Sequence, residues 1–218
     1  MKDLVSFLNE NKERYDASYK EKYYGAQISM CPEDLSKVEV GPAKFENAFT
    51  KSKIKMPPAL PSTEIADKCY MGMFAGCKEL LEAPTLPAEK LYNECYESMF
   101  AGCTKIKETP ELVASKLAKM CYTKMFNNCT ALTTAIIEAE SLEEGCCIEM
   151  FSGCKNIKDI WLGVKKNITA SEIDKYFKNW LEDTNNTGTL HLREGVKAAK
   201  GLLPKKWKVT NDYETSYK

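Results

Sequence analysis

Apolar residues recur along the middle of the chain at a nearly constant interval. Four segments repeat the pattern Cys-Tyr-x-x-Met-Phe-x-Gly-Cys with small variations, and their phenylalanines lie 25 or 26 residues apart. These phenylalanines are Phe74, Phe100, Phe126 and Phe151. An aliphatic residue follows the second cysteine of every unit three positions on, as at Leu80. One short unit cannot bury its own apolar face, so we expect the units to stack and to place the phenylalanines in one buried row.

The elements within one unit follow from the same pattern. The short run that begins at Leu80 predicts a brief strand, and the prolines after it end the strand because proline cannot donate a hydrogen bond to a neighbouring strand. Leu91, Cys95 and Met99 recur every four residues, which predicts a short helix. One strand and one short helix per unit predict an α/β repeat fold, a leucine-rich-repeat solenoid, with about five units between residues 44 and 161.

A stack of repeats needs a cap at each end. Residues 1–43 predict an N-terminal helix and short strands, and residues 162–218 predict an α+β cap. The N-terminal helix carries a tyrosine stripe, which covers the core in one interpretation and docks a partner in the other. The tyrosines are Tyr15, Tyr19 and Tyr23. At the other end, Thr169 and Glu172 form a capping box that begins a helix, and we expect its apolar face to seal the last repeat.

Charge and hydropathy narrow the class of protein. The chain has 31 Lys plus Arg and 31 Asp plus Glu, so its net charge is zero. We expect no nucleic-acid partner, because binding to phosphates requires a basic face. No run approaches the ~20 apolar residues of a membrane helix, and the first residues lack the apolar core of a secretory signal. We therefore expect a cytoplasmic or virion-associated protein without a membrane partner, and an extracellular one only where a signal has been removed.

Ten cysteines raise zinc binding, disulfides and thiol chemistry as alternatives. Eight of them occupy two fixed positions of the repeat, with a spacing that does not suit zinc, and His191 is the only histidine. Disulfides between units are sterically conceivable, but a row of small buried residues has the same pattern, so we expect buried free thiols. A thiol nucleophile needs a base, and His191 lies in a predicted strand. We expect no catalytic, cofactor-binding or metal site, with a thiol-dependent enzyme as a remote alternative.

The repeat resembles the BspA-like leucine-rich repeats, in the longer variant of gut Bacteroidetes and their phages that combines Cys-Tyr-x-x-Met-Phe-x-Gly-Cys with a Pro-x-Leu-Pro-Ala turn. That turn is Pro84 to Ala88 here, and Ala48-Phe49 of an eroded first unit keeps a feature of the family's shorter form. Gly188-Thr189 and Leu203-Pro204 followed by Trp207 are similar to a segment with which such proteins often end. The resemblance covers about residues 44 to 210. It implies an adhesive or interaction surface without catalytic residues.

The candidate binding surface is the outward side of the predicted strands. Stacked in register, one position of each unit would form a line with three carboxylates at strand spacing. These positions are Glu82, Glu108, Thr134 and Asp159. Neighbouring lysines balance the line in one interpretation, and a basic or hydroxyl-rich partner docks there in the other. We therefore expect a non-enzymatic protein-binding module in a phage or bacterial structural or attachment role. A glycan-binding or host-surface adhesin is the alternative, and a second copy of this chain is a further candidate partner.

Overall fold

Four short strands form one parallel sheet, in the order in which they occur along the chain. The computed structural model describes residues 19–38, 40–60 and 65–213. The strands are β1 (Thr134–Ile137), β2 (Asp159–Leu162), β3 (Thr189–Leu192) and β4 (Lys208–Thr210). Two α-helices lie in the described residues, α1 (Tyr19–Tyr23) and α2 (Ala170–Tyr176), with one turn of 3₁₀ helix at Leu35–Lys37. Side chains along β1, β2 and β3 alternate between buried and half-exposed, so one side of the sheet faces the core.

The predicted leucine-rich-repeat solenoid, with one strand and one short helix in every coil, is wrong. The described residues form a small domain with a single four-stranded parallel sheet that is neither curled nor closed. The two α-helices are short, and both lie outside the repeat region 44–161. Of the four strands, only β1 and β2 belong to that region.

The four-residue spacing that predicted a helix arises from a chain of tight turns. Between residues 68 and 77, every second N–H donates to the carbonyl three residues earlier, as Met73 does to Tyr70 at 3.1 Å. The N–H groups between them donate to the next repeat, as Phe74 does to Met99 at 2.9 Å. In an α-helix every N–H would instead donate to the carbonyl four residues earlier. The repeats are therefore held by turn and inter-repeat hydrogen bonds in alternation.

Backbone angles within these turns exclude a right-handed helix. Every fourth residue has a positive φ, for example 58° at Lys68, 62° at Gly72 and 73° at Gly76. The left-handed region is costly for residues with a Cβ, which accounts for glycine at some of these positions, although most of them carry other residues. A period of four is thus common to this chain of turns and to the apolar face of a helix, and the side-chain pattern alone does not separate them.

Strand formation depends on where the repeats lack proline. Pro84 and Pro110 lie four residues after the conserved aliphatic position of their units. Ile136 occupies the same position in the unit of Phe126. Proline has no N–H to donate, whereas the N–H of Ile136 donates to Thr109 Oγ1 at 3.2 Å. The unit of Phe100, which contains Pro110, pairs with β1 only through isolated bridges, one of which joins Glu108 to Thr134. Continuous pairing begins between β1 and β2.

The core consists of stacked aromatic rings, and the prediction of one buried phenylalanine row is confirmed. Phe74, Phe100, Phe126 and Phe151 are fully buried, and successive ring centroids lie 5.7, 5.4 and 5.9 Å apart. A second row runs beside it through the tyrosines of the motif. Its members are Phe45, Tyr70, Tyr96 and Tyr122. The fixed motif positions of the sequence are therefore the stacking positions of the core.

Rings from outside the repeats cover both ends of the phenylalanine row. Phe49 stacks on Phe74 at 5.5 Å and so extends the row by one ring. Tyr23 of α1 stacks on Phe49 in turn, with centroids 4.9 Å apart. Trp180 lies against Phe151 at the other end, at 6.2 Å, and its indole N–H donates to the carbonyl of Leu202 at 2.8 Å. Helix α2 ends at Tyr176, so Trp180 seals the row from a turn after the helix and not from the helix itself.

Candidate functional site

One row of side chains crosses the outward side of the sheet. Glu108 is bridged to Thr134, and Thr134 pairs in register with Asp159. The same register continues to Thr189 and Lys208. The structure therefore brings three of the four predicted positions together and adds two that the sequence analysis missed. We call the outward side of β1 to β4, together with Glu108, the ladder face.

Glu82 lies one repeat before Glu108, where the prolines prevent a strand. Its side chain is exposed, and so is the apolar side chain before it, Leu81, at 51%. The N–H of Leu81 donates to the carbonyl of Lys55 at 3.1 Å, which places Leu81 beside Met56. Met56 and its bridge partner Met30 are exposed by 43% and 63%. Three exposed apolar side chains therefore lie near this end of the row.

A stacked pair of rings stands on the ladder face beside the polar row. Trp161 and His191 are register partners on β2 and β3, and their rings are 4.3 Å apart at an angle of 7°. His191 Nδ1 lies 2.7 Å from Asp212 Oδ1, and Nε2 lies 3.4 Å from Asp159 Oδ1. From the sequence, His191 was placed only in a predicted strand, and Trp161 was not among the predicted site residues. Trp161 follows Asp159 by two positions, and this spacing places both on one side of a strand.

The tyrosine stripe of the N-terminal segment lies at the end of the aromatic rows. Tyr15 is outside the described residues. Tyr23 is buried and stacks on Phe49, and burial raises the pKa of its hydroxyl well above the usual range. Tyr19 is half-buried, with its ring 4.8 Å from that of Phe45. Tyr19 and Tyr23 thus serve as the cap of both rows, and Tyr23 is closed to a partner.

The thiols belong to the core. All ten cysteines are unpaired, and all except Cys31 are buried. The second cysteine of a unit donates its S–H to the phenylalanine carbonyl of the unit before, as from Cys103 to Phe74 at 3.1 Å. Burial raises the pKa of Cys154 to about 12 and that of Cys103 well above the usual range. Such thiols stay protonated and are poor nucleophiles.

Within residues 19–38, 40–60 and 65–213, no three His, Cys, Asp or Glu side chains are grouped so that they could hold a metal ion. None of the helices described is long and apolar enough to cross a membrane.

Comparisons of the chain with protein-family models, with curated proteins and with solved structures gave no match.

Proposed function

We propose that this protein is a non-enzymatic binding module that docks a protein partner on the ladder face. The observation that carries the proposal is the outward row from Glu108 to Lys208, whose ends are exposed and whose middle is half-exposed, with the Trp161–His191 pair beside it. Tryptophan is over-represented among the residues that dominate binding energy at protein interfaces, and a surrounding polar rim is typical of such sites.

The charges on the ladder face favour a partner with basic residues. Asp159 and Asp212 flank the ring pair, and Glu108 extends the acidic row toward the repeats. Lys208 stands at the opposite end of the row. An asymmetric arrangement of this kind would orient a partner and speed its association more than it would add affinity.

A glycan-binding adhesin is the second candidate. The outward strand positions predicted from the sequence are charged or polar, which disfavours it, but Trp161 is an aromatic residue at such a position. The resemblance of the repeat motif to the BspA-like family also favours an adhesin. However, His191 covers one face of the Trp161 ring, which leaves less of the flat surface on which a sugar ring stacks. A protein partner therefore agrees better with the geometry.

A capture experiment with matched variants tests the proposal. Immobilised wild-type protein is compared with Trp161→Ala, with the triple variant Glu82→Ala, Glu108→Ala and Asp159→Ala, and with a control of equal charge change. The control replaces exposed carboxylates outside the sheet, namely Glu89, Glu143 and Glu182. A partner lost by both face variants and kept by the control supports the ladder face. Equal capture by all four proteins contradicts it, and a glycan array with the same set tests the adhesin.

A further inference from the structure

A cavity of about 270 Å³ opens beside the ladder face, where β1 adjoins the preceding repeat. Leu112, Val113 and Ile136 supply its apolar lining, and Leu112 is buried. Ile136 is the register partner of Trp161, so the cavity lies on the strand next to the ring pair. The cavity therefore offers an apolar contact surface to whatever lies on the ladder face.

Some charged side chains of the cavity form ion pairs and others do not. Arg193 donates from Nε to the carbonyl of Gly163 at 2.6 Å, lies 4.9 Å from the centre of the Tyr213 ring and is 3.7 Å from Glu140. Lys165 contacts the second oxygen of Glu140 at 2.7 Å. This contact is the main reason why the pKa of the Glu140 carboxyl is lowered. Glu140 thus faces two cations, so the cavity lining together with Lys165 holds three carboxylates and two cations.

Glu111 and Glu138 also line the cavity, and neither is paired with a cation in the described part of the chain. Glu138 accepts a hydrogen bond from the neutral hydroxyl of Tyr213 at 2.6 Å, which fixes the carboxylate without neutralising it. Glu111 is exposed at the rim. Two carboxylates without an ion pair, in a group with one negative charge in excess and beside an apolar surface, match a side chain with an aliphatic stem and a cationic head.

We propose that this cavity binds a lysine or arginine side chain of the partner, an inference that rests on the proposed function of the ladder face. The stem lies along Leu112, Val113 and Ile136, and the cationic head faces Glu111 and Glu138. A metal ion suits the cavity less well, since these carboxylates are not among any metal-holding group in the described residues. The partner would therefore present a basic residue next to the segment that covers Trp161.

The cavity can be tested without the partner. Nα-acetyl-arginine methylamide and Nα-acetyl-lysine methylamide are titrated into ¹⁵N-labelled protein, and the norleucine and glutamate analogues serve as neutral and anionic controls. We expect shifts at the amides of Leu112, Val113 and Ile136 for the two cationic probes, weakening as salt is added. Glu111→Gln with Glu138→Gln should weaken binding about threefold or more, whereas Glu182→Gln should not change it.

Two results would overturn the cavity proposal. One is equal binding of the norleucine analogue, which would make the cavity a purely apolar site. The other is an unchanged affinity in the double glutamine variant, which would mean that the cationic probes bind surface carboxylates in general. Neither result contradicts the proposed ladder face, because the capture experiment tests that face through Trp161, Glu108 and Asp159, with Glu82 one repeat beyond it. A failed capture experiment with positive titrations would refute the face as a protein-binding site and keep the cavity.

Discussion

Replacement of Phe100 by alanine tests the aromatic row that organises the fold. Phe100 is fully buried between Phe74 and Phe126, with ring centroids 5.7 and 5.4 Å away. Loss of a core phenylalanine costs about 3–5 kcal/mol through lost burial and the cavity that remains. The two ring contacts, roughly 0.5–1.5 kcal/mol each, are part of that sum and place Phe100→Ala toward its upper end. Phe100→Leu, which keeps more of the volume, should lose less.

Urea titration followed by circular dichroism and by tryptophan fluorescence measures this loss. The tryptophans are Trp161, Trp180 and Trp207, all in the C-terminal part of the chain. If unfolding is cooperative, both signals should give the same free energy. The half-exposed Tyr92→Ala variant serves as a surface control with a loss below about 1 kcal/mol. A loss of under about 1 kcal/mol for Phe100→Ala as well would show that the row does not support the fold.

Three further predictions follow from the turns, the thiols and the row of carboxylates. Gly102→Ala should cost about 1–2 kcal/mol, because its φ is 75° although the added Cβ would have ordinary room, 3.6 Å from the nearest backbone atom. Ser98→Gly, at φ 55°, should be neutral or stabilising, and thermal melts of both variants measure the difference. A chromogenic thiol reagent should react slowly with the native protein and with nearly all ten cysteines after denaturation without reductant; fewer than half would indicate disulfides. Replacing Glu82, Glu108 and Asp159 together with alanine should leave the melting temperature near that of the wild type, since none of the three is buried; a large drop would assign them a structural role.

Sequence periodicity predicted the interior well and the backbone poorly. The shared repeat position of Phe100 and its equivalents identified the buried row. Burial depends on side-chain chemistry, and the sequence gives that chemistry directly. The path of the backbone between them depends on φ at every fourth residue. Glycine at 72 and 76 indicates a positive φ, but Lys68 and Ser98 also have a positive φ, which their residue types do not predict. A helix was therefore the natural interpretation of a spacing that tight turns also produce.

The candidate site was predictable only where strand alternation could be applied. Glu108, Thr134 and Asp159 were found because they share a repeat phase, and the sheet places them in register. Trp161 could have been found by the same rule, two residues after Asp159. Thr189 and Lys208 lie beyond the repeats, where the sequence gives no phase to follow. Only the pairing of β2 with β3 and of β3 with β4 joins them to the row.

The construction of the core bears on how the ladder face binds. Its strands carry Ile160 and Leu162 on the inner side, both fully buried, so the outward residues between and beside them are held at fixed positions. His191 is restrained further by Asp212 and by the Trp161 ring. A partner that docks there would spend little free energy on ordering the face, since ordering a rotamer-rich side chain costs about 0.5–1.5 kcal/mol. Loosening the face without removing a contact residue should therefore weaken binding. Asp212→Asn, which keeps the shape but weakens the restraint on His191, should speed dissociation more than it slows association, and the reverse result would mean that the charge of Asp212 steers the partner instead.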